Sequence, residues 1–154
     1  MRNTISILSM AGLLAGCMPS PAQQVESATN STYYKYQAEL QAATKDAVIK
    51  CSNKKQCDKL WSLTQLYINN NSGMKIQLSN DTIIETYNPT QSNTYGFDAT
   101  KTPGAGETAT INLTYKCYGL DNPLLLQYQN YSCMTVGVKL LKSYATEMKA
   151  HMKN

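Results

Sequence analysis

Arginine is almost absent from this sequence, which contains only Arg2 among its 154 residues. The remaining 13 of the 14 basic residues are lysines, and against 10 acidic residues the formal net charge is +4. Arginine is the residue that most often recognises phosphate groups with paired hydrogen bonds, and nucleic-acid-binding domains are strongly basic. The scarcity of arginine and the small charge excess therefore argue against a nucleic-acid or phosphate ligand.

Histidine is scarce as well, since His151 is the only one and lies close to the end of the sequence. A catalytic nucleophile needs an adjacent base, and histidine often completes a zinc site. One histidine near the end of the sequence therefore favours neither a nucleophilic active site nor a zinc site. The glycine-rich segment Thr102–Glu107 has the composition of a hairpin turn rather than of a phosphate-binding loop. We therefore expect no catalytic residue, no cofactor and no metal, and we predict that the protein is not an enzyme.

The N-terminal segment is mostly apolar from Ile5 to Ala15 and is too short to span a bilayer of about 30 Å as a helix. Small residues then lead to a cysteine in the order Leu14-Ala15-Gly16-Cys17. This order resembles the lipobox of bacterial lipoproteins, whose signal peptide is cleaved before a cysteine that becomes acylated. The resemblance implies a signal peptide at residues 1–16 and palmitate-type lipidation of Cys17. An ordinary secretory signal and a buried helix are the alternatives.

An acyl anchor attaches a protein to a membrane without spanning it. Met18 occupies the position at which lipoproteins retained in the inner membrane often carry aspartate. The resemblance therefore implies lipid anchoring in the outer membrane of the cell envelope, most simply facing the periplasm, with surface display as the alternative. Residues 17–31 contain the lipidated cysteine and a polar segment that we interpret as a flexible tether, and residues 32–154 are expected to form one globular domain.

Four cysteines remain beside Cys17, namely Cys51, Cys57, Cys117 and Cys133. An even number of cysteines in an oxidising compartment predicts two disulfide bonds, for which three connectivities are possible. We prefer Cys51–Cys57 and Cys117–Cys133, because each pair brackets one predicted turn or loop. Free thiols and a metal or redox site are the alternatives, and the first spacing is typical neither of zinc sites nor of thioredoxin-type motifs.

The hydrophobic pattern predicts an α+β fold with two N-terminal helices, a four-stranded antiparallel meander and a C-terminal helix packed on one sheet face. Apolar residues at three- and four-residue steps predict helices over 32–50, from 54 to about 70, and over 134–152. In this interpretation Cys51 closes the first helix, and Asn53 with Gln56 resembles a capping box that opens the second. Alternating apolar residues predict the strands, over 74–78, 82–87, 95–99 and 109–117.

Two surface features are candidates for contact with a partner. Four lysines surround the first predicted disulfide, where a solvated corner is the alternative interpretation: Lys50, Lys54, Lys55 and Lys59. Three leucines stand between turn signals in a predicted loop over 118–132, where they either pack over the core or form an exposed apolar lip: Leu124, Leu125 and Leu126.

These observations predict a non-enzymatic envelope lipoprotein whose folded module binds another envelope or secretion-system component. The alternative is a periplasmic inhibitor or immunity-type protein that blocks an enzyme such as a lysozyme or a toxin, with an exposed loop as the plug. The Cys-x5-Cys-x3-Trp segment and the later IIETYNP segment resemble small exported bacterial proteins of unassigned function. That resemblance implies no activity and no site residue.

Overall fold

The computed structural model describes the backbone of residues 21–120 and 131–152 and the side chains of residues 32–120 and 132–152. These residues form three helices: α1 (Pro21–Asp46), α2 (Lys54–Asn71) and α3 (Tyr131–Met152). They also form five strands: β1 (Val48–Cys51), β2 (Ile76–Ser79), β3 (Ile83–Thr86), β4 (Tyr95–Pro103) and β5 (Ala109–Cys117). The predicted α+β class is confirmed.

The five strands form one antiparallel sheet in the order β1-β5-β4-β3-β2. The predicted meander is confirmed for the last four strands, because each one pairs with the next along the chain. The predicted number of four strands is wrong, since β1 adds a fifth strand beside β5. The connection through α2 carries the chain from one edge of the sheet to the other.

Strand β1 corrects the prediction of a helix that continues to residue 50 and is closed by Cys51. Helix α1 ends at Asp46, and Ile49 pairs with Ile111 of β5. Ala47 and Cys51 are one helical turn apart, so their spacing fits an apolar helix face. Val48 and Ile49 are β-branched, however, and alternating burial along the segment matches a strand that pairs with a neighbour.

Helix α1 begins at Pro21, so residues 21–31 are helical. These residues were predicted to form part of a flexible tether. Proline is favourable at the first helical position, because its fixed φ suits the helix and its missing N–H has no partner there. The polar residues that follow are compatible with a helix and include no later proline or glycine before the strand. The domain boundary near residue 32 stays a prediction.

The hydrophobic core lies between one sheet face and the helices. The buried sheet residues include Phe97 and Tyr115, and the rings of Phe97 and Tyr67 from α2 meet edge to face with centroids 6.2 Å apart. Helix α3 contributes Tyr144, whose ring lies 5.2 Å from that of Tyr67. Gly137 of α3 permits close approach to the sheet, because a Cβ there would lie 2.7 Å from Tyr115 Cδ1. The prediction that the C-terminal helix packs on one sheet face is confirmed.

Both preferred disulfides are present, with Cα–Cα distances of 5.2 Å for Cys51–Cys57 and 6.3 Å for Cys117–Cys133. The first disulfide joins β1 to the first turn of α2, so it braces a strand against a helix rather than two helices. The second joins the end of β5 to the first turn of α3. Each bond therefore fixes one end of the sheet to the helical layer.

The start of α2 has the predicted cap, because Asn53 Oδ1 accepts a hydrogen bond from the Gln56 N–H at 2.9 Å. The return bond differs from a standard capping box, since Gln56 Oε1 accepts from the Ser52 N–H at 2.8 Å. Together these two bonds satisfy backbone donors on both sides of the corner. No helix within residues 21–120 and 131–152 is long and apolar enough to cross a membrane.

Candidate functional site

The sheet face that points away from the core has no helix over it among the described residues. Strand β5 alternates strictly along its length, so every second residue lies on this face, and its cross-strand partners in β4 share it. We call this surface the open sheet face. Its central residues are Asp98, Thr100, Thr102, Thr110, Asn112, Thr114 and Lys116.

Four large apolar side chains surround this polar centre. Val48 is 36% exposed and pairs with Asn112, and Leu78 is 42% exposed and pairs with Glu85. Tyr87, 54% exposed, follows β3, and Tyr118, 38% exposed, follows β5.

We call these four residues the apolar rim. They are four of the six large apolar side chains that are exposed within the described ranges. The other two, Tyr34 and Leu66, lie on α1 and α2. Most of the exposed large apolar side chains of the described residues therefore lie on the sheet strands or directly after them.

Lys116 is the fixed cation of the open sheet face. Its Nζ lies 2.6 Å from Asp98 Oδ1 and donates a hydrogen bond to the carbonyl oxygen of Thr86 at 2.8 Å. The residue opposite Lys116 in β4 is Gly96, so the lysine side chain can cross β4 and reach β3 without meeting a side chain. A Cβ built on Gly96 would overlap Thr86 Oγ1, which accounts for glycine at this position.

The Thr86 side chain takes the place of backbone hydrogen bonds between β3 and β4. Its side chain is fully buried, and its hydroxyl both accepts from the Phe97 N–H at 2.9 Å and donates to the Phe97 carbonyl oxygen at 3.0 Å. The regular pairing of the two strands stops at Glu85. The Thr86 carbonyl oxygen therefore remains available to Lys116, and the sheet interior sets the position of the surface cation.

A broad concavity of about 650 Å³ occupies one end of the open sheet face. Asp98 and Lys116 line it, with Asn88 and Pro89 on one side and Tyr118 on the other. Its polar groups are one paired carboxylate, one paired ammonium and neighbouring hydroxyls. Such a surface can form hydrogen bonds and ion pairs with polar groups of a partner.

The four lysines predicted as a cluster lie on two elements, Lys50 on β1 and the other three on α2. Lys50 lies on the edge strand opposite Thr110 of the open sheet face. Lys54 makes a 2.6 Å ion pair with Asp58. The hydrogen bond between those two side chains raises the pKa of Lys54 and lowers the pKa of the Asp58 carboxyl.

The last two lysines of the predicted cluster, Lys55 and Lys59, line a separate depression together with His151. Lys55 directly follows Lys54 in α2, and adjacent residues of a helix point to different sides. A role for any of the four lysines in partner binding stays a prediction.

Several predicted site residues lie outside the described ranges. They are Cys17, Leu124, Leu125 and Leu126. The lipidation of the cysteine and the exposure of the three leucines therefore stay predictions. Residues 121–130 of the predicted loop over 118–132 also lie outside the described ranges.

No known protein family, curated protein or solved structure matches this chain. Among the described residues, no group of three or more His, Cys, Asp or Glu side chains is placed to hold a metal ion. The function is therefore inferred from the open sheet face and from the N-terminal sequence.

Proposed function

We propose that this chain is a non-enzymatic lipoprotein of the bacterial outer membrane whose folded domain binds another envelope protein through the open sheet face. The observation that carries this proposal is the apolar rim around a polar centre. Exposed apolar residues scattered singly are normal on a monomeric domain, whereas several on one uncovered sheet face favour an interaction surface. Two of the four rim residues are tyrosines, which are enriched at protein interfaces.

The arrangement of α1 supports the membrane tether. Leu40 of α1 contacts Gly137 near the start of α3, and Gln56 Nε2, close to the end of β1, donates to the Met152 carbonyl oxygen at 3.4 Å. Helices α1 and α3 therefore run in the same direction. Gly137 lies six residues after the start of α3, so the start of α3 is level with about residue 34 of α1. The part of α1 between residues 21 and 34 therefore extends beyond the start of α3, by about 20 Å at a rise of about 1.5 Å per residue. A projecting helix of this kind suits a domain held away from a membrane.

The concavity lies at the end of the domain from which α1 projects. Cys117 at the end of β5 is bonded to Cys133 in the first turn of α3, whereas Ala109 at the start of β5 contacts the opposite corner through Cys51. Tyr118 and the concavity are consequently near the start of α3. A chain anchored through its N-terminus would turn this end of the open sheet face toward the membrane, where an envelope partner can reach it.

The proposal is tested by crosslinking the lipidated protein in its native envelope and capturing it with what it binds. We compare Leu78→Ser with Leu66→Ser, and Tyr87→Ser with Tyr34→Ser, because each pair removes a similarly exposed side chain from inside or outside the apolar rim. We expect the rim variants to lose a captured protein that the matched controls retain. Equal capture by all four variants would contradict binding through the open sheet face.

The inhibitor interpretation makes a different prediction in the same experiment. If the captured protein is an enzyme and the purified domain lowers its activity, the module acts by blocking that enzyme. If the captured protein is a non-enzymatic envelope component, the assembly role stands.

A further inference from the structure

A second concavity lies between the start of α2 and the end of α3. It has a volume of about 370 Å³, which is within the range of about 300–1,000 Å³ typical of small-ligand pockets. Two lysines, one histidine and two amides line it: Asn53, Lys55, Gln56, Lys59 and His151. No acidic side chain of the described residues lines it. We call this site the basic depression.

The two amide side chains of the basic depression leave donors for a ligand, because their oxygen atoms are already engaged. Asn53 Oδ1 accepts from the Gln56 N–H at 2.9 Å, and Gln56 Oε1 accepts from the Ser52 N–H at 2.8 Å. A backbone N–H can only donate, so these bonds also fix which end of each amide is oxygen. The amide N–H groups, the two ammonium groups and an imidazole N–H are all donors. The lining therefore complements a ligand that accepts hydrogen bonds.

No carboxylate of the described residues neutralises the cations of the basic depression. Asp58, the only acidic residue of α2, lies 2.6 Å from Lys54 Nζ and 3.7 Å from Lys101 Nζ. Glu147, the only acidic residue of α3, lies one turn before His151. The two lysines and the histidine of the depression form no ion pair with either acid or with any other described residue.

The positions of the two lysines are unfavourable for the helix that carries them. Lys55 is in the first turn of α2, where the helix dipole favours anions and disfavours cations. Lys59 lies four residues later, so two like charges are neighbours on the helix surface. An anion bound in the basic depression would offset both unfavourable effects.

We propose that the basic depression binds a small anionic ligand that carries carboxylate or phosphate groups. Lysine ammonium groups form charge-assisted hydrogen bonds with both kinds of anion. Arginine, which recognises phosphate with paired bonds, does not line the depression, so the test compares the two kinds of anion directly. The basic depression shares no residue with the open sheet face, so either proposal can fail while the other stands.

Succinate and inorganic phosphate are the probes, and succinamide is the neutral control with the same carbon chain as succinate. Each is titrated into the full mature protein at an ionic strength of about 0.15 M, where exposed charges more than about 8 Å apart are largely screened. The NMR shifts of Asn53, Lys55 and His151 report binding. We expect saturable shifts at these residues, with a Kd of about 1 mM or below, for at least one of the two anions. The anion that binds more tightly identifies the charged group of the ligand.

Two double variants with the same change in net charge separate a site from general attraction. Lys55→Gln with Lys59→Gln removes both ammonium groups of the basic depression. Exposed ion pairs contribute about three-fold each to affinity, so this variant should bind about ten-fold more weakly. Lys139→Gln with Lys142→Gln is the control, because both lysines are exposed on α3 and lie about 13 Å or more along the helix from His151. The control should bind like the native protein.

A stability measurement tests whether the two lysines serve the fold instead. Without an added anion, Lys55→Gln with Lys59→Gln should resist urea at least as well as the native protein, because it removes repulsion and glutamine has a similar helix propensity to lysine. The proposal is overturned if neither anion binds at these residues or if succinamide binds as tightly as succinate. It is also overturned if the two double variants bind equally, or if the variant at Lys55 and Lys59 is less stable than the native protein.

Discussion

Replacing the Thr86 hydroxyl with a methyl group should destabilise the protein far more than the change in volume suggests. Thr86→Val keeps the shape of the side chain but removes both hydrogen bonds to the backbone of Phe97. Thr86 and Phe97 are both fully buried, so water cannot replace the lost partner. Each buried backbone group left unsatisfied costs about 1–3 kcal/mol, which gives about 2–6 kcal/mol for the pair.

The matched control for this prediction is Thr86→Ser, which keeps the hydroxyl and removes one methyl group. Its expected cost is about 1 kcal/mol, the contribution of one buried methyl group with a small cavity. Urea unfolding of the unlipidated protein, with both disulfides intact, measures both variants against the native sequence. If Thr86→Val is as stable as Thr86→Ser, or more stable, the hydroxyl does not replace the ladder between β3 and β4.

Three further predictions follow from the disulfides, the buried tyrosine and the anchor. Replacing Cys51 and Cys57 together with serine should lower the free energy of unfolding by about 2 kcal/mol through chain entropy, as denaturant titration can verify, and no loss would show that the bond does not brace β1 against α2. Burial raises the pKa of Tyr144 to about 12, so the folded state holds this proton more tightly than the unfolded state. Its stabilising contribution, about 2–3 kcal/mol at most, is complete below pH 10 and is lost as pH rises from about 10 to 12. Tyr144→Phe should therefore flatten the dependence of the free energy of unfolding on pH in this range. An unchanged dependence would show that other groups cause the loss of stability. Finally, Cys17→Ser should move the protein from the membrane fraction to the soluble fraction, and tight membrane association of that variant would refute lipid anchoring.

The sequence predicted the fold wherever one local pattern was decisive. In β5, apolar and polar residues alternate over nine residues, and the structure has both the strand and its polar, solvent-facing side. The cap at Asn53 and the amphipathic α3 also have local causes. The disulfide pairings followed from the predicted turns, and both are confirmed.

Strand β1 was missed because two periodicities overlap at its residues. Ala43, Ala47 and Cys51 repeat every four residues, which indicates a helix. Ile49 and Cys51 repeat every two, which indicates a strand. Only pairing with β5, which lies about 60 residues later in the chain, decides between them.

The candidate surface could not be predicted, because it depends on contacts between distant segments. Val48 and Leu78 belong to opposite edge strands, and only the sheet register places both on the open face. The role of Thr86 left one signal in the sequence: a threonine at a position where alternation with Ile84 calls for an apolar residue. The Tyr115 hydroxyl, which has no hydrogen-bond partner among the described residues, left no such signal, since its position in β5 is that of a core aromatic.

The most direct measurement of the central claim places a photo-crosslinking amino acid at Tyr87 in the lipidated protein, within living cells. The same amino acid at Tyr34 is the control, because that side chain is exposed on α1, outside the apolar rim. We predict a discrete crosslinked adduct with one envelope protein from position 87 and none from position 34. No adduct from position 87, or the same adducts from both positions, would contradict the proposal that the open sheet face is the binding surface.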